Sequence, residues 1–280
     1  DIQKINNFPQ IGRYDTAGKA YGVYVQGRYA YVADYENGLV IIDISNPKNP
    51  IQVGRYDTAG SAWGVYIQGS YAYVADDTNG LVIIDISNPN NPRQVGRYGT
   101  AGDAERVYIQ GNCAYVANYS NGLVIIDISN PKSPTQVGRY DTAGSAWGVY
   151  IQGSYAYVAD DTNGLVIIDI SNPKSPTQVG RYDTAGKAYG VYVQGSYAYV
   201  ADDTNGLVIV DISNPNKPVQ IGWYDTYKAR GIYVQGSYAY VADRENGLVI
   251  IDISNPKSPI QVGWYDTTGK AYGVYIQGKY

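Results

Sequence analysis

The chain has 280 residues, with 33 Gly and 32 Tyr against one Phe, no Met and no His, so His-based triads, His-ligated metals and the commonest neutral-pH general base are all excluded. A single Cys113 rules out an intramolecular disulfide and any Cys-cluster zinc or iron–sulfur site. Twenty-one basic against 25 acidic residues, a formal charge of −4 and no basic run argue against nucleic acid as a partner.

The chain opens at Asp1 without a charged-then-apolar leader, which reads as a processed product or a portion of something longer. Its continuous apolar runs, such as Leu81 to Ile84, are one strand long, so membrane insertion is not expected. From Asp1 onward an Asp-Ile pair recurs with its Asp at 1, 43, 85, 127, 169, 211 and 252, five steps of 42 residues and one of 41. Residues 135–173 repeat 51–89 with only Ile51 changed, to Thr135.

No stretch within a unit has apolar residues spaced at three and four, while four β-rich runs alternate with turn residues. In the second unit these predict strands over Trp63–Gln68, Tyr71–Asp76, Leu81–Ile86 and Gln94–Tyr98, here termed inner, second, third and outer. Asn79-Gly80 marks a tight hairpin, and Asn88-Pro89 with Pro92 confines the outer strand to an edge. An uninterrupted Leu-Val-Ile-Ile run implies a sheet covered on both faces, which a neighbouring unit must supply. Stacked four-stranded units of this length predict an all-β fold, a β-propeller of four-stranded 42-residue blades forming one domain over residues 1–280.

Outer and inner strands each occur seven times, but second and third strands only six, the last pair lying at Tyr238–Asp243 and Leu248–Ile253. Seven blades are expected, with residues 1–16 as a closing outer strand beside the inner strand Ala271–Gln277; six complete blades with an overhanging strand are the alternative. Either arrangement leaves a β-edge open to pairing with another chain.

The run Leu207-Val-Ile-Val-Asp211, with Leu-Val-Ile-Ile-Asp in the other copies, resembles the LVIVD repeat family over the whole chain. The resemblance implies a propeller of secreted or surface-attached proteins without an assigned catalytic activity. It places the protein in the extracellular space or at the cell surface.

One position immediately before each inner strand varies between otherwise copied blades: Tyr21, Trp63, Glu105, Trp147, Tyr189, Arg230 and Tyr272. In a propeller these residues ring one mouth of the channel, and aromatics with one Glu and one Arg suit a sugar ring or peptide side chain. The competing reading packs them between blades. The expected function is therefore a non-enzymatic binding or scaffold module for protein or glycan. A self-assembling structural subunit and an engineered consensus propeller are the alternatives.

No catalytic residue, metal or cofactor is expected. Asp76-Asp77-Thr78-Asn79-Gly80 resembles a calcium loop only superficially, because it lacks the Glu twelve positions along. The carboxylates that break the repeat, Glu36, Asp103, Glu105 and Glu245, are too scattered for a glycosidase pair. Cys113 replaces a second-strand Tyr and reads as an inert thiol; Asn118-Tyr119-Ser120 is a formal glycosylation sequon.

Overall fold

The computed structural model describes residues 9–278. Among these, six four-stranded antiparallel sheets follow one another along the chain, each in the order inner, second, third, outer. Blade 2 is typical, with strands Gly64–Gln68, Tyr71–Ala75, Leu81–Asp85 and Arg93–Tyr98, within a residue or so of the boundaries expected from sequence. The remaining blades span residues 22–56, 106–140, 146–182, 188–224 and 229–265.

Two compact units make up the chain. One, residues 10–141 with 173–175, carries blades 1–3; the other, 142–172 with 176–276, carries blades 4–6.

Why the third strands are apolar without alternation is plain from the packing within each unit. Leu81 and Ile83 face blade 3, sharing a core with Val107, Val116 and Val124. Val82 and Ile84, on the opposite face, join Tyr31, Leu39 and Ile41 of blade 1. Every side chain of the run is buried because successive residues serve two different cores. Blades 4–5 and 5–6 repeat this arrangement.

Outer strands end the ladder with a bulge. Ile83 pairs with Gly96 but Ile84 with Gln94, leaving Val95 as the extra residue and twisting the exposed edge. Gly96 is required there, since a Cβ would lie 1.9 Å from the Pro131 carbonyl oxygen of blade 3. Gly69, at φ +60° in the inner hairpin, has open space around it. Gly96→Ala should therefore cost roughly 3 kcal/mol or more by forcing two blades apart, against about 1 kcal/mol of left-handed backbone strain for Gly69→Ala. Denaturant titration of both variants checks the order.

The expected seventh blade is not formed among the described residues, which make six. Residues 271–277 carry no strand among the described residues, because the second strand to which an inner strand must hydrogen-bond is encoded only six times. The segment still packs as an inner strand would, with the Tyr275 ring 5.0 Å from that of Tyr233. Of the proposed closing strand 1–16, residues 1–8 lie outside the described residues, and 9–16 form no strand among them. Gly12 nevertheless meets Pro47 as Gly54 meets Pro89, so this segment takes an outer-strand position against blade 1.

Candidate functional site

The links from one blade to the next are held by a repeated polar lock. The Thr58 hydroxyl donates to Asp76 Oδ1 at 2.5 Å, and Asn79 Nδ2 donates to the other carboxylate oxygen at 2.9 Å. Thr16–Asp34, Thr100–Asn118 and Thr184–Asp202 repeat the first of these contacts. The Asp-Asp-Thr-Asn-Gly segment is thus occupied in joining blades, and no cluster of His, Cys, Asp and Glu suited to a metal occurs among the described residues. Asn118 of the sequon is fully buried and bonded to Thr100 through both amide atoms, so the folded chain offers it to no glycosyl donor. Cys113 is half-buried at the start of its strand, and burial pushes its thiol pKa up, away from reactivity.

In the unit carrying blades 1–3, Tyr21, Trp63 and Glu105 each extend the inner strand by one rung. Their amides donate to the carbonyls of Ala33, Ala75 and Ala117, all at 2.9 Å. The Tyr21 and Trp63 rings are 4.1 Å apart, and Tyr35 packs on both at 5.5 and 5.3 Å. Glu105 is only 4% exposed. Burial, reinforced by Asp77 and Asp103 and opposed by Arg106, pushes its pKa up to about 8, so it is protonated near neutrality.

Arg106 completes this group and was not singled out by the reading of the sequence. Every other blade has Gly at its position, with the chain of the next blade so close that a Cβ on Gly22 would meet the Trp63 carbonyl oxygen at 2.8 Å. The Arg106 guanidinium runs along these carbonyls, donating to those of Trp63 at 2.6 Å, Glu105 at 3.0 Å and Tyr21 at 3.1 Å. The signal that could have found it is this single Gly-to-Arg exception, overshadowed by Glu105 beside it.

In the unit carrying blades 4–6, the Trp147 and Tyr189 rings are 5.1 Å apart. Arg230 lies over Tyr189, its guanidinium carbon 3.6 Å from the ring centroid, and its Nη2 is 3.3 Å from Asp203 Oδ1. Tyr272 follows with its carbonyl oxygen against Gly231. The structure thus brings Tyr21 to Trp63, and Trp147 to Tyr189 and Arg230, as contacting groups of half-buried rings. Of the two charged members, Glu105 is protonated near neutrality and Arg230 is already matched to Asp203.

Deeper in each inner strand lies a feature the variation between blades conceals, because it does not vary. Tyr24, Tyr66 and Tyr108 stack at 4.9 and 5.0 Å, and Tyr150, Tyr192, Tyr233 and Tyr275 at 4.7 to 5.0 Å. The Tyr66 hydroxyl bonds those of Tyr24 and Tyr108, and burial raises its pKa well above the ordinary phenol value. These ladders are continuous rows of contacting phenol rings within each unit.

Among solved structures, the chain is similar to a functionally unknown protein from Desulfotomaculum acetoxidans, at 15% identity over 93% of this chain and 89% of that one with a TM-score of 0.76. It is also similar to the Swd1 beta-propeller domain of Myceliophteria thermophila, at 12% identity over 91% and 88% with a TM-score of 0.72. BamB from Moraxella catarrhalis matches at 15% identity over 94% and 79%, with a TM-score of 0.65. At these identities the likeness shows the fold, a β-propeller. No curated protein sequence matches the chain. The LVIVD repeat model matches residues 17–58, 59–100, 101–142, 143–184, 185–226 and 228–267, each match framing one blade. The chain belongs to the LVIVD repeat family, as a six-bladed β-propeller.

Proposed function

We propose that this propeller is a non-enzymatic binding or scaffold module, outside the cell or at its surface, that takes a polar ligand of protein or glycan on the loops leading into its inner strands. The supporting observation is where the copies differ. Blades 2 and 4 keep the same Trp before the inner strand, but the other blades, copies of the same repeat, place Tyr, Glu or Arg there, and these side chains touch: Tyr21 with Trp63, and Trp147 with Tyr189, which Arg230 covers. Half-buried aromatic rings beside a guanidinium–carboxylate pair suit a sugar face or the polar side chains of a peptide.

Glycan and peptide arrays probed with the parent protein and with Trp63→Ala/Trp147→Ala test the reading. Binding should fall at least about tenfold in the double variant, since each indole lost removes on the order of 1 kcal/mol of stacking. The circular-dichroism melt should stay cooperative. Array binding equal to the parent's would move recognition to another surface. The assignment to the cell exterior is checked by fractionating the source organism.

A further inference from the structure

Exposed indoles are not spread evenly over the outer strands, although Ile51 of blade 1 is as exposed as Val219 and Ile260 of blades 5 and 6. At the fifth position of the outer strand, blades 1–4 carry Arg55, Arg97, Arg139 and Arg181, whereas blades 5 and 6 carry Trp223 and Trp264, 56% and 41% exposed. Val219 and Ile260 open the same two strands and are exposed as well, as is Tyr227 just beyond blade 5. All of these lie within the unit that carries blades 4–6. Two exposed indoles at the same place on the edge strands of consecutive blades mark a contact surface.

Charge identifies what it contacts. In blades 1 and 3 the arginine lies near the Asp two residues on, Arg55 to Asp57 at 3.9 Å and Arg139 to Asp141 at 3.8 Å. Where Trp replaces it, Asp225 and Asp266 have no ion pair among the described residues and accept only the amides of Tyr227 and Thr268. An exposed indole beside an unneutralised carboxylate is complementary to a guanidinium. The protein already makes this combination internally, where Arg230 covers Tyr189 and reaches Asp203.

From this we infer that the outer strands of blades 5 and 6 dock a second copy of this chain, whose Arg55, Arg97 and Arg139 stack on Trp223 and Trp264 and pair with Asp225 and Asp266. The two surfaces differ, so the contact is head-to-tail and extends into a chain of molecules or closes into a ring. It is independent of ligand binding at the inner-strand loops.

Sedimentation velocity over a wide range of protein concentration tests this. The parent should gain mass with concentration. Trp223→Arg/Trp264→Arg, which installs the residue four blades already carry and so preserves the fold, should weaken self-association by about a hundredfold, two cation–aromatic contacts at roughly tenfold each. Arg55→Gln/Arg97→Gln/Arg139→Gln should do the same, and mixing the two variants should restore a 1:1 dimer and nothing larger. A parent that stays monomeric, or a Trp→Arg variant that associates like the parent, overturns the proposal. A monomeric parent that captures an arginine-rich peptide or a soluble polysaccharide at Trp223 and Trp264 overturns it in favour of a foreign partner.

Discussion

Replacing Ile83 with alanine should lower the free energy of unfolding by about 2–5 kcal/mol, the range for truncating a large aliphatic side chain in a core that cannot collapse. Ile83 is fully buried, flanked by Tyr73 and Leu81 on its own blade and facing Val107, Val116 and Val124 of the next. Both walls of the resulting hole are hydrogen-bonded sheets, which resist closing over it. Ile51, the same residue type at the exposed start of an outer strand, is 51% exposed, and its alanine variant should lose no more than roughly 1 kcal/mol. Denaturant titration gives both numbers. A loss below about 0.5 kcal/mol at Ile83 would mean that blade faces do not form the core.

Glu105 should make the protein less stable as pH rises. Its ordinary pKa is 4.5, and in the folded chain it is pushed up to about 8, first by burial and then by Asp77 and Asp103. Between these values the native state holds a proton that the unfolded chain has released. Stability therefore falls with increasing pH, by up to roughly 1.4 kcal/mol per pH unit from this group, and levels off once the native carboxyl ionises. Below about pH 4.5 both states are protonated and the contribution is flat. Glu105→Gln keeps the shape without the charge. It should match the parent near pH 5 and exceed it by several kcal/mol near pH 8, as read from urea titrations at the two pH values. Parallel curves for the two proteins would mean that Glu105 is ionised in the fold, held by Arg106.

Local pattern made the strands legible because each unit repeats the same turn chemistry around the same apolar run. Blade 2 needed only small boundary shifts, such as Leu81–Asp85 for the expected Leu81–Ile86. Blade number was harder to read. Terminal segments that pack like strands, Gly12 against Pro47 and Tyr275 against Tyr233, look in sequence like parts of a blade, whereas a blade is defined by its middle hairpin. At the candidate site, variation between copies pointed to Trp63, Glu105 and Arg230 but hid what is constant, the tyrosine ladders, and what is unique, Arg106.

One difference lies beyond any local reading. Asp77 and Asp161 occupy the same place in identical segments, yet Asp77 has φ +47° and donates to Ala104 of the following link, while Asp161 lacks positive φ and donates to Ser145 of its own. Each conformation satisfies the amide with one bond; Tyr35 of blade 1 follows Asp77, bonding Ala62 of the next link, whereas Asp203 and Arg244 follow Asp161.

The coincidence of repeat and blade also bears on inheritance. DNA encoding residues 51–89 and 135–173 specifies nearly the same peptide two blades apart, so unequal crossing-over between these stretches deletes or adds whole blades without shifting a strand out of register. The new neighbours would still fit, because the seam rests on contacts common to the copies, a glycine against the carbonyl of an Asn-Pro, as Gly54 meets Pro89 and Gly180 meets Pro215. Lineages carrying this gene would then vary in length by whole blades, and the singular residues Glu105 and Arg106 would be gained or lost together with the blade that holds them.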